Sequence, residues 1–353
     1  MAATFTTPGG SAGVVTGQVL QLARRTAGLS QEALAELLGV SLDSVQGWES
    51  GRRRLAGAHE LDARHELAGA GADPQVMAAL EPARQADWLL GRTLEPDGRP
   101  HPLAVLVTTR QVHDLLVWTL TGSRPSWLPT NGTGTGRPGL GVPERRAVFA
   151  RLRELAEGAD GHRQEGAQLR RQAAFLAAYD PAGDTDAWLA DLPAANPRPG
   201  EWSSEWVAAR SRAVTEAARG DPDRLRWFLD RRLAGHDRLE AAQLAWNAYY
   251  YGEVPGPQRS EAFMVADLPW RGDRLLGWLA GRLEPGCGYV DLIVHELWAL
   301  LAGRYTLAAD PTAGGLANRV EILAATEVLS DRSRRELGEV AYLLRALNPK
   351  GDH

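Results

Sequence analysis

The stretch Val14–Arg54, VVTGQVLQLARRTAGLSQEALAELLGVSLDSVQGWESGRRR, decides how the chain is read. Three short helices follow from its physics. Val19, Leu20 and Ala23 face one way on the first, Gly28 closes it, and Leu29 turns inward. Ser30 is placed to cap the second, whose Leu34, Ala35 and Leu38 form one apolar stripe; Ala35 is small where a neighbouring helix must come close. Gly39-Val40-Ser41 makes a tight turn, with glycine supplying the left-handed backbone. Ser41 caps the third helix, Val45 and Trp48 point inward on it, and Gly51 stops it.

Leu20, Arg24, Leu29-Ser30-Gln31, Leu34-Ala35, Gly39-Val40-Ser41, Val45 and Trp48-Glu49 with Gly51-Arg52-Arg53 together resemble the phage repressor and Cro-like (XRE) helix-turn-helix family over the whole of this stretch. The downstream region is similar to long actinobacterial regulators that carry such a domain at the N-terminus. The resemblance implies double-stranded DNA as partner, with the third helix in the major groove and its N-terminal part on base edges. Leu42, Asp43, Ser44, Gln46 and Gly47 would then face the bases. Ser30 and Gln31 would reach phosphate, Arg52, Arg53 and Arg54 would clamp it, and Arg24 would pair with Glu49 to lock the first helix to the third while able to turn towards phosphate. Two positions depart from the family. Gly47 replaces a long polar side chain, and Asp43 brings a negative charge towards DNA. Five arginines meet five acids over Val14–Glu60, so this segment is locally neutral, modest affinity per domain is expected, and a homodimer is needed for useful binding.

The 353 residues of the whole chain exceed what one core usually serves, so two domains or more are expected. Hydrophobic residues at 44% and charged residues at 24% are ordinary globular values. A formal net charge of −5 excludes a global field that would drive the molecule onto nucleic acid or an anionic membrane. Almost all its basic residues are arginine, as in proteins of GC-rich bacterial genomes. One cysteine, Cys287, excludes an internal disulfide and multi-cysteine metal sites, and reads as a small buried or surface thiol in a reducing compartment. No apolar run is long enough for a bilayer, and no secretory leader is legible, so a cytoplasmic protein is expected.

Residues 1–13 read as a disordered leader, 14–58 as the helix-turn-helix domain, and 59–122 as an intermediate helical segment. Within the last, Pro102–Thr109 has the β-branched density of a short strand, although a helix is preferred. The glycine- and proline-rich residues 123–143 read as the linker, and 144–349 as an all-helical dimerisation domain with a possible small-molecule effector or protein partner. In that domain helices are expected at Glu144–Glu157, Arg163–Tyr179, Ser203–Arg219, Pro222–Ala234, Arg238–Tyr251, Trp270–Leu283, Val290–Arg304, Leu316–Leu329 and Ser333–Leu347. The expected fold is therefore all-α: a five-helix-type helix-turn-helix domain followed by a large multi-helix C-terminal domain.

Other signals are weaker. Gly134-Thr-Gly136-Arg-Pro-Gly139 mimics a dinucleotide-binding glycine pattern but contains Pro138 and follows no buried strand. His295-Glu296 lacks a second histidine four residues later, and His236-Asp237 reads as a helix cap. Aromatic residues crowd the chain from Trp227 to Trp298 and read mainly as core. Arg231, Trp246, Asn247, Tyr250, His295 and Trp298 are the candidates for a ligand pocket or a dimer face. No nucleophile, general base and oxyanion donor stand at a recognisable spacing, so neither an enzyme nor a cofactor or metal is expected. The competing reading is a protein-interaction or antitoxin-like scaffold in which DNA binding is secondary.

Overall fold

The computed structural model describes residues 13–129, 138–310 and 315–347, and among these there are helices and loops but no strand. The expected leader, up to residue 12, and most of the Gly134–Gly139 motif lie outside the described residues. No described helix is long and apolar enough to cross a membrane. The described chain forms two compact units: residues up to 103, 110–158 and 176–186 in the first, and 104–109, 159–175 and 187 onward in the second.

The first unit is built around α1 (Val14–Thr26), which packs against α3 (Leu42–Glu49), α6 (Leu80–Leu94) and α8 (Arg110–Thr121). Between them run α2 (Gln31–Leu37), α4 (Ala58–Gly69), α5 (Pro74–Ala78) and the first two residues of α7 (Pro102–Val105), and α9 (Val142–Gly158) covers α6. Helix α1 has no side-chain cap of its own, because Gly13 stands at its N-cap. Asp87 on α6 supplies one instead, accepting from Val15 N at 2.8 Å and Thr16 N at 2.9 Å. Gln18 of α1 accepts a hydrogen bond from Thr119 Oγ1 of α8 at 2.6 Å. Residues 59–122 are thus no free-standing intermediate segment, since α1 shares its core with α6 and α8. The boundary at 123–143 also fails to divide the units: Leu128 and Leu140 are buried, and Gly139 N donates to Thr119 O at 2.9 Å. Helix α9, expected to open the C-terminal domain, belongs to the first unit, where Arg153 binds both Asp180 and Asp184.

The second unit contains α10 (Gln164–Ala177) up to residue 175, then the end of α11 (Thr185–Asp191), α12 (Ser204–Ala218), α13 (Asp223–Phe228), α14 (Asp237–Tyr250), α15 (Asp273–Arg282), α16 (Val290–Gly303), α17 (Leu316–Ala324) and α18 (Asp331–Leu347). One apolar cluster joins α12, α13 and α14 through Trp206, Phe228 and Tyr249; a second joins α15 to α18 through Leu276, Leu297 and Leu337. The strand-like reading of Pro102–Thr109 resolves into the short α7 followed by extended chain. Val107 N donates to Gln258 O at 2.9 Å, its carbonyl accepts from Tyr249 OH at 2.6 Å, and Thr108 N donates to Gln172 Oε1 at 2.8 Å. Backbone and side-chain groups of the same unit satisfy this extended stretch, so no ladder is required. The expected helices from Ser203 onward appear with shifted ends. Helix α13 starts at Asp223, whose N–H is taken by the Asp221 carboxylate, and it runs into a π-helical turn at Leu229–Leu233. His236 precedes α14, but its backbone carbonyl rather than its ring accepts from Leu239 and Glu240. Cys287 is buried, and burial pushes its thiol above the ordinary range.

A buried histidine in the first unit makes its stability depend on pH. His101 Nδ1 accepts from Leu103 N at 3.2 Å, and Nε2 lies 3.1 Å from Thr93 Oγ1. Burial, reinforced by Arg92 and Arg151, lowers its pKa to about 4. The folded state therefore keeps a neutral imidazole, while the unfolded chain takes up a proton near the usual pKa of about 6.5. His101 contributes fully above that pH, and its contribution is lost as pH falls towards 4. The loss amounts to roughly 3 kcal/mol at most. Urea unfolding of the wild type and His101→Gln across this range should show a steeper decline for the wild type; parallel curves would contradict the assignment.

Candidate nucleic-acid interface

Helix α3 is held from both sides by contacts that leave its outer face free. On its inner side Gly17 of α1 lies so close that a Cβ there would sit 2.4 Å from Trp48 O and 2.7 Å from Glu49 O. Glycine is required at this crossing because the obstacle is backbone. At the C-terminal end of α3, Glu49 is buried and accepts from Arg24 Nε at 2.6 Å and Arg24 Nη2 at 3.0 Å. Arg24 Nη1 donates to Leu29 O at 2.7 Å, and Gln31 Nε2 donates to Glu49 Oε2 at 2.6 Å. The helix-locking pair is therefore present, with Gln31 as a third member. Arg24 is buried and its guanidinium spans Glu49 and Leu29, so in this structure it does not face phosphate. Gln31 likewise spends its amide inside the domain.

The outer surface of the domain is built by two capped helix starts. Ser30 Oγ accepts from Ala33 N at 3.1 Å, and Ser41 Oγ accepts from Ser44 N at 3.2 Å. The turns at Gly28, Gly39 and Gly51 all have positive φ, as the sequence reading required of Gly39. On α3, Asp43 and Gln46 are exposed, while Leu42 and Ser44 are half-buried. Gly47 is buried, and its place is explained by Arg53. The Arg53 stem crosses the helix there, so that a Cβ at 47 would meet Arg53 Cδ at 3.1 Å. Arg53 Nη2 thereby reaches Asp43 Oδ2 at 2.8 Å, with Arg52 Nη2 on Oδ1 at 3.5 Å. Asp43 thus neutralises part of the basic cluster expected to clamp phosphate. Arg52 and Arg53 remain 61% and 56% exposed, which keeps them available to an outside anion. Arg54 is exposed and has interactions of its own; its charge acts on Asp87.

The second set of candidates separates into different settings. Trp246 and Asn247 are buried on α14, with Trp246 stacked on Tyr250 at 6.3 Å between ring centroids. The guanidinium groups of Arg171 and Arg210 lie 4.8 and 5.7 Å from the Trp246 ring. Nearby, Arg210 donates to Gln243 and Gln243 to Glu296, whose carboxyl is pushed up by burial. His295 is buried against Glu336 at 3.0 Å, and Trp298 donates to Glu339 at 2.6 Å, so both turn towards α18. Arg231 is exposed in the π-helical turn. The six residues do not form a single pocket. Arg171 and Arg210 were not singled out from the sequence, where each is an ordinary charge on a helix.

Residues 17–80 match a helix-turn-helix domain family. The chain carries a helix-turn-helix domain at its N-terminus. The match spans nearly all of α1 to α5 and ends where α6 begins, so it includes Gly17, Arg24, Ser30, Gln31, the whole of α3 and Arg52 to Arg54. No curated protein and no solved structure matches the chain. The close α1–α3 crossing gives a direct check. Gly17→Ala is expected to force these helices apart and destabilise the domain by roughly 1–3 kcal/mol, read from its denaturation midpoint. An unchanged midpoint would contradict the crossing.

Proposed function

We propose that the chain is a cytoplasmic, sequence-specific DNA-binding transcriptional regulator of the XRE type, acting as a homodimer on a pseudo-palindromic operator rather than as an enzyme. The observation that carries this reading is α3, locked at its C-terminal end within a helix-turn-helix domain and presenting Asp43 and Gln46 beside exposed Arg52 and Arg53. In a groove-bound pose Leu42, Asp43, Ser44 and Gln46 meet base edges. Gln46 is suited to bidentate contact with adenine, and Asp43 to accepting from cytosine. Arg52 and Arg53 exchange the Asp43 carboxylate for phosphate, an exchange that costs little because exposed ion pairs contribute about 0–1 kcal/mol. Ser30 offers its hydroxyl to the backbone of the same strand.

Selection of bound sequences from a random duplex library, using the full chain, tests the reading directly. An enriched inverted repeat is expected. No enrichment by pure protein would favour the interaction-scaffold reading, for which the neutralised arginine cluster is the supporting observation. Two variants then separate base reading from phosphate binding. Asp43→Asn frees two guanidinium groups, so its binding should strengthen at low salt and the salt dependence should steepen by up to about two units of slope. Gln46→Ala should relax preference at one base position while leaving the salt slope unchanged. A Gln46→Ala protein with wild-type affinity and base preference would overturn the placement of α3.

A further inference from the structure

The outer face of α18, together with α16, carries the features of a two-fold contact. Leu337, Val340 and Leu344 turn inward into the α15–α18 core. On the opposite side Arg335, Gly338, Glu339 and Tyr342 line an open, largely apolar groove of about 670 Å³ against Trp298 and Leu343. Tyr342, which lines this groove, is 68% exposed. Gly338 lies in the interior of α18 and has right-handed backbone, and a Cβ there would meet nothing within 4 Å. Neither conformation nor internal crowding calls for glycine, which costs about 1 kcal/mol in a helix relative to alanine. At such a position a missing side chain lets another backbone come close.

The charges on this face complement themselves. Arg335 and Glu339 stand one turn apart and on either side of Gly338, so the patch carries both signs of the same pair. We infer that α18 packs antiparallel on α18 of a second copy of this chain, crossing at Gly338 and Glu339. Residues 335 and 342 are separated by roughly 10 Å along the helix, and an antiparallel crossing midway brings each Arg335 opposite the Tyr342 ring of the second copy. There the guanidinium stacks on the ring and reaches the second copy's Glu339, which Trp298 Nε1 already orients. Every contact occurs twice, as a two-fold interface demands. One helix pair is small against the roughly 1,200–2,000 Å² of stable interfaces, so the dimer should dissociate on dilution.

This locates the contact required by the homodimer reading above, and sedimentation of the full chain without DNA tests it. The wild type is expected to pass from dimer to monomer across a dilution series. Tyr342→Asp should raise the dimer dissociation constant at least about tenfold with unchanged helical circular dichroism. Gly338→Cys should form a covalent dimer under mild oxidation, because the native Cys287 is buried. If Tyr342→Asp fails to fold, cross-linking through Gly338→Cys decides alone. A wild-type dimer that survives Tyr342→Asp, with no cross-link through position 338, would overturn this interface and leave the regulator reading standing. A wild type that is monomeric throughout would overturn the interface and the DNA-free homodimer together, while duplex selection would still report on DNA reading.

Discussion

The buried pair between Arg24 and Glu49 is the constraint on which the reading surface depends. Both side chains are almost wholly removed from water, and desolvating two charges is repaid only when geometry and further hydrogen bonds are good. Here the pairing is bidentate, Leu29 O takes a third guanidinium hydrogen, and Gln31 takes a share of the carboxylate. The network therefore ties the end of α3 to α1 and to the start of α2. Gly17 fixes the same crossing from the other side by letting α1 touch the α3 backbone. Loss of either ion would leave an uncompensated buried charge, so the position of α3 is set well inside the domain.

Because its placement is secured internally, the outer face of α3 need not contribute to stability. Asp43, Gln46, Arg52 and Arg53 interact mostly with one another across solvent-exposed surface, where ion pairs contribute little. That is the arrangement expected of residues reserved for an external partner. Gly47 belongs to the same logic. It weakens the helix, yet the space it leaves is where Arg53 crosses to Asp43, so a residue that looked like a lost contact organises the basic cluster.

Local features of the domain were legible in the sequence because each depends on neighbours in the chain. Ser30 and Ser41 cap the helices they precede, and the left-handed turns fall at glycines. The Arg24–Glu49 pair came from resemblance and stands in the structure. What the sequence did not disclose is who packs against whom. Asp87 caps α1 from 72 residues away, and Thr119 binds Gln18 across 101 residues; neither leaves a pattern in a helical stretch. For the same reason the glycine- and proline-rich segment looked like a domain boundary, although residues at both its ends are pinned to the first unit. The aromatic candidates misled differently: ring density signals burial without saying which helix each ring is buried against, and the structure divides them between the α14 interior and the face towards α18.

The consequence for the reading domain is physical as well as organisational. Its α1 lacks a cap of its own, and a helix whose first N–H groups are unmet is marginal in isolation. Asp87 meets two of those groups, and its own carboxyl is pushed up by the burial that this position entails. Helix α6, which carries Asp87, lies almost wholly beyond the residues that match the helix-turn-helix family, and α8 and α9 lie well past them. The matched helix-turn-helix segment thus has its α1 completed by chain outside it. Part of the stability of α3's platform is supplied by α6 and α8, so a change in those helices can disturb α3 without touching any residue on its outer face.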